Sequence, residues 1–285
     1  MILADLVDYL YKALVSTATQ FLILFGPVIL LAILMNIISA YNVRLGCKVL
    51  GENAYQYIFR WLGTIIHETG HALFAILFGH RITEFVLFSH KTKGTPAHVT
   101  HTYNHKNIYQ SAGNFFIGIG PLILGSLMLF LITWILYGIN VFQNIHVPDI
   151  RLTDAGWPKL SSIESIGLST WHNLLKYGNI IIAGPEWIWW KTTLLIYFLY
   201  SVSSSITLSV ADVKGAAKGL AFTLMVLLAF NLSTLWMGNF AIDFFIRISR
   251  NFAKLYFLIL LTIAINVFFI AVLFFIILLK SAFRH

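Results

Sequence analysis

The sequence predicts an all-α polytopic membrane protein, with about six transmembrane helices and a membrane-associated β-hairpin. Three observations carry that expectation. Of the 285 residues, 59% are hydrophobic and only 11% are charged, with a mean hydropathy of +0.82; soluble domains carry about 25% charged residues. Six apolar segments, at about 16–40, 58–78, 110–137, 192–210, 220–237 and 255–279, are long enough to cross about 30 Å of hydrocarbon. Between the second and third, two runs of strand-forming residues flank a turn-rich stretch.

Taken in order, residues 2–14 read as a short amphipathic helix at the interface. Asp5 and Asp8 precede the apolar run without a basic region, which is unlike a signal peptide. Gly26-Pro27 and Gly120-Pro121 should kink the first and third spans. Segments 82–88 and 97–103 are the strand candidates, joined by His90-Lys91-Thr92-Lys93-Gly94-Thr95-Pro96. Residues 139–190 carry Pro148, Pro158 and Pro185 and read as a polar connection. Trp187, Trp189 and Trp190 with Lys191 look like an interfacial belt opening the fourth span. Three regions follow: 1–57, a core at 58–219, and C-terminal helices at 220–285. An even number of spans would place both termini on one side, and the two sides then carry nearly equal Lys and Arg. The net charge of +8 is spread thinly, which argues against a nucleic-acid partner and for contact with anionic headgroups of the lipid bilayer. Cys47 is the single cysteine, so any internal zinc site must use His, Asp or Glu.

His67-Glu68-Thr69-Gly70-His71 lies inside the second apolar segment. Four residues advance a helix by about 400° and about 6 Å, so both imidazoles leave one face a turn apart. That spacing suits two ligands of one Zn2+, with Glu68 beside them to take the proton of an attacking water. Ionisable groups at mid-bilayer cost about 2.5–3.5 kcal/mol each on insertion scales, which points to function. A catalytic zinc takes three protein ligands. Asp212, after the fourth span, is a candidate for the third, on the same side as His71.

These residues resemble the site-2 protease family of intramembrane zinc metalloproteases, peptidase family M50, over about 65–219. His67-Glu68-Thr69-Gly70-His71-Ala72 is similar to its HExGH helix, Gly118-Ile119-Gly120-Pro121 to its glycine-proline element, and Asp212 with Gly215 to its aspartate-glycine element. The stretch 203–207, where the family commonly has Asn and Pro, departs from that pattern. The resemblance implies a zinc-dependent endopeptidase, with His67, His71 and Asp212 as ligands and Glu68 as general base. Its substrates would be transmembrane or membrane-associated proteins, its location the plasma membrane, and both termini cytoplasmic. The hairpin offers an edge for an extended substrate through β-addition, with Phe85, Val86, Leu87, Val99, Thr100 and His101 as the contact residues.

Two alternatives stand beside this reading. Ten histidines, with His98, His101 and His105 clustered, allow a membrane di-iron hydroxylase or desaturase. Such sites need about eight histidines, and on a strand His98 points away from His101. The other is a catalytically inactive membrane scaffold.

Overall fold

The computed structural model describes residues 2–87, 97–139, 143, 145–154, 156–184, 188–203, 206–238 and 240–283. Helix α1 (Ile2–Leu50) is a single 49-residue helix, so the interfacial segment and the first span are continuous through Pro27. α2 (Glu52–Tyr55) passes through a π turn (Gln56–Arg60) into α3 (Trp61–Leu77), which carries the HExxH residues. Strands β1 (Arg81–Val86) and β2 (His98–Thr102) pair antiparallel. The expected turn at 90–96 lies outside the described residues. α4 (Ile108–Tyr137), α5 (Leu160–Ala183), α6 (Trp189–Ser203), α7 (Val210–Thr234) and α8 (Phe240–Ala282) complete the chain.

Among the described residues, four helices are long and apolar enough to cross a membrane: α1, α4, α7 with its 3-10 extension to Met237, and α8. The other two expected spans fall on shorter helices. α3 has 17 residues and α6 has 15, or about 25 Å and about 22 Å at 1.5 Å per residue. Both bury one face in the bundle and leave the other exposed, at Leu73, Ile76 and Leu77 of α3 and at Trp189, Trp190 and Leu194 of α6.

The stretch 139–190 is not the plain polar connection its prolines suggest. α5 fills 24 residues of it. Leu168, Trp171, Leu175 and Ile182 form an exposed apolar stripe, while Tyr177 and Ile181 are buried behind it. Scattered polar residues lowered the mean hydropathy and hid this helical period.

Directions follow from contacts between helices. Tyr256 Oη donates to the Leu24 carbonyl, Asn42 Nδ2 donates to Asn266 Oδ1 at 3.0 Å, and Lys280 Nζ donates to the Val49 carbonyl at 3.3 Å. α1 and α8 are therefore parallel, and the two ends of the chain lie at opposite ends of the bundle. The expectation of both termini on one side is overturned, because the crossings are not six simple ones. α6 and α7 descend together along α1 as one interrupted helix, with Tyr200 near Asn42, Leu208 bonded to Asn36 and Asn231 bonded to Gln20. The core between these helices is packed by Met35, Leu122, Leu129, Leu199 and Leu258, all fully buried.

Candidate metal centre

α7 begins where a run of hydroxyl residues ends. Ser and Thr side chains compete for backbone groups, so such a run favours a break followed by a cap. Ser209 provides the cap. Its Oγ accepts from the Asp212 N–H at 3.1 Å, and Asp212 Oδ2 accepts from the Ser209 N–H at 2.7 Å. This capping box holds the carboxylate at the helix start, inside the bundle rather than beyond a span. The interrupted backbone at this depth needs partners. Asn36 of α1 supplies two, donating to the Leu208 carbonyl and accepting from the Leu208 N–H, each at 2.8 Å.

α3 brings the imidazoles to the same point. His71 Nε2 lies 3.0 Å from Asp212 Oδ1, and His67 Nε2 lies 3.4 Å from Asp212 Oδ2. The two Nε2 atoms are 3.2 Å apart. One ligand atom from each of the three residues lies within 4.8 Å of the others, the one such His/Asp/Glu/Cys cluster among the described residues. Glu68, buried and one position along α3, is within electrostatic reach of all three.

The glycine-proline element of α4 has two tasks. Proline has no N–H, so Pro121 leaves the Ile117 carbonyl, four residues earlier, without its helical donor. His71 Nδ1 donates to that carbonyl at 2.9 Å. The bond fixes the tautomer and leaves His71 Nε2 as a lone-pair donor aimed at Asp212 and His67. The glycines set the distances. A Cβ on Gly70 would fall 2.7 Å from Pro121 Cα, and one on Gly118 would fall 2.7 Å from the Asp212 carbonyl oxygen. Small residues at these crossings let the α3, α4 and α7 backbones approach closely.

The donor set fits zinc. Two imidazole nitrogens and one carboxylate are an N2O set suited to Zn2+. An outer carbonyl already orients one imidazole, as metal-ligating histidines require.

The hairpin packs against the end of α3. Gly79, at φ 71°, ends that helix, and β1 starts two residues later. Phe85 pairs with Val99 and Val86 with His98, while Thr100 faces Glu84 and His101 faces Ile82; Leu87 falls just past β1. A register shift sits at Thr83, whose hydroxyl bonds that of Thr100 at 2.8 Å. His98 pairs with Glu84 at 3.1 Å.

His101 turns to α3's end rather than to the cluster. His80 Nε2 donates to the Gln110 carbonyl at 2.8 Å, so its Nδ1 accepts the proton of His101 Nδ1 at 3.0 Å. This arrangement requires a neutral His80. His80 also stacks on Tyr103 at 4.8 Å. Burial pushes the His101 pKa down to about 4 and lowers His80 as well. The described histidines therefore divide between separate tasks, unlike the converging set of about eight that a di-iron enzyme needs.

Three positioning groups escaped sequence reasoning: Ser209, Asn36 and the Ile117 carbonyl. Ser209 was within reach, because Ser209-Val210-Ala211-Asp212 is the capping-box pattern. Asn36 has no local signature.

Residues 28–136 match the family model described as Peptidase M50B-like. The matched stretch contains His67, Glu68, His71 and Pro121, and Asp212 lies beyond it. No curated protein and no solved structure matches the chain.

Proposed function

From a chain that carries a Peptidase M50B-like domain, we propose an intramembrane zinc-dependent endopeptidase of the cell membrane, acting on transmembrane or membrane-associated proteins. The observation that carries this reading is the convergence of His67, His71 and Asp212 beside Glu68 within a bundle of membrane-length helices. His67 Nε2, His71 Nε2 and the Asp212 carboxylate would hold the ion. A bound zinc would supply a Lewis acid that activates a water and polarises the scissile carbonyl. Glu68 takes the proton of the attacking water on its carboxylate and returns it to the departing amine nitrogen. The Ile117 carbonyl keeps the His71 ring oriented through the cycle. A helical substrate hides its peptide bonds and must be locally extended before attack. The outer edges of β1 and β2 offer backbone groups for that extension, with Phe85, Val86, Leu87, Val99, Thr100 and His101 along them.

The test is Glu68→Gln in the purified chain, with a transmembrane peptide as substrate. Hydrolysis should fall by about 10²-fold or more while zinc stays near one per chain, since general acid–base catalysis contributes about 10²- to 10⁴-fold. Activity within tenfold of wild type would remove Glu68 from the chemistry. A wild-type protein that binds zinc and cleaves no transmembrane peptide would favour the inactive scaffold.

A further inference from the structure

A cavity of about 640 Å³ lies between segment 145–151, the first turns of α5 and the early part of α8. It contains none of the cluster residues. Arg151, Arg247, Arg250 and Lys254 line it. The last three recur at spacings of three and four and so share one stripe of α8. Asp149 is the one carboxylate among the described lining residues, and it pairs with Arg250 at 2.7 Å. Ser161, Ser162 and Ser165 add hydroxyls from α5, and Ser162 Oγ accepts from the Arg151 N–H at 2.9 Å. Basic side chains gathered around one space favour an anionic occupant.

A second cavity, of about 220 Å³, adjoins the first and shares His146, Val147, Pro148 and Arg250 with it. It runs between α1, α5 and α8 and is lined mainly by apolar groups, among them Pro27, Leu30, Ile166, Tyr256 and Leu260. Pro27 and Leu30 lie in the apolar segment 16–40 of α1, so this slot extends from beside the cationic chamber toward the hydrocarbon-spanning part of the bundle. A cationic chamber opening into an apolar slot matches an amphiphile with an anionic head. Arg side chains suit phosphate oxygens, which they bind in pairs of hydrogen bonds.

We propose that the paired cavities form a binding site for an anionic phospholipid. The phosphate sits among Arg151, Arg247, Arg250 and Lys254, and an acyl chain fills the slot beside Leu30 and Tyr256. The site is independent of peptide hydrolysis, and Glu68→Gln should bind lipid as wild type does.

The test uses the purified full chain in neutral detergent, with lipid retention measured by native mass spectrometry. Phosphatidylglycerol should saturate one site and be preferred over phosphatidylcholine by about tenfold or more, given the gain expected from several basic side chains near a headgroup. The double variant Arg247→Gln/Lys254→Gln should lose that preference while keeping wild-type zinc content. Arg151→Gln, outside any helix, carries the same test if the double variant does not fold. Leu30→Trp should lower phospholipid binding by filling the slot. Inorganic phosphate at equal concentration should not displace the lipid; displacement would identify a free-phosphate site and overturn the lipid assignment. Equal retention of both lipids, or unchanged retention in both cation variants, would overturn the proposal. So would loss of lipid in Glu68→Gln.

Discussion

Asp212 Oδ2 accepts from the Ser209 N–H and also faces His67, while Oδ1 faces His71, so one short side chain serves both a helix cap and the cluster. Asp212→Ala should therefore lose most bound zinc, measured by metal analysis, whereas His98→Ala and His101→Ala should keep it. Zinc loss from either histidine variant with retention in Asp212→Ala would reassign the third ligand. Ser209→Ala removes the acceptor of the Asp212 N–H. Such caps contribute about 1 kcal/mol, and zinc affinity should fall about 10-fold or more, as for other groups that orient ligands. Ser209→Thr should restore it. His101 gives a pH prediction. Its folded pKa of about 4 lies below the ordinary 6.5, so between those values the unfolded hairpin takes up a proton that the folded one does not. Stability conferred by the neutral pair is full above about pH 6.5 and is lost as pH falls toward 4. Hydrogen-exchange protection of β1 and β2 should drop across that window, and less so in His101→Phe.

At the scale of elements, α4 works through what proline lacks and glycine omits. Pro121→Ala would return an N–H to the Ile117 carbonyl and take that carbonyl from His71 Nδ1. Zinc affinity should fall about 10- to 100-fold, in line with lost outer hydrogen bonds to metal ligands, with little change in Tm. Gly70→Ala acts differently. Its Cβ meets the Pro121 backbone at 2.7 Å, where no flexible side chain can yield. α3 and α4 must then separate, and Tm and zinc content should fall together. Equal behaviour of the two variants would show that the carbonyl has no role apart from packing. The break between α6 and α7 belongs to the same scale: a discontinuous helix places a carboxylate at membrane depth, with the exposed backbone held by Asn36.

Across the whole molecule, polar pairs fix how the long helices align. Gln20 with Asn231 and Asn42 with Asn266 are buried pairs between α1 and its neighbours. Such bonds average about 0.6 kcal/mol in membranes, so they specify alignment more than they add stability. The parallel course of α1 and α8 predicts termini on opposite sides of the membrane. In a Cys47→Ser background, Ala4→Cys and Phe283→Cys should react with a membrane-impermeant thiol reagent from opposite sides. Labelling of both from one side would overturn this topology.

Local pattern was enough for the membrane class, the HExxH face and the hairpin, because helix period, strand alternation and hydropathy are properties of neighbouring residues. Asp212 was placed beyond a span, however, and only packing shows it starting α7 inside the bundle. Composition also concealed α5, since polar residues scattered between its apolar positions lower the average along the chain. The continuity of α1 through Pro27 and the opposite placement of the termini depend on which helices pack together. The same is true of the Ile117 carbonyl. Pro121 made it free, which the sequence shows, but only the approach of Gly70 to Gly120 and Pro121 brings His71 within hydrogen-bonding distance of it.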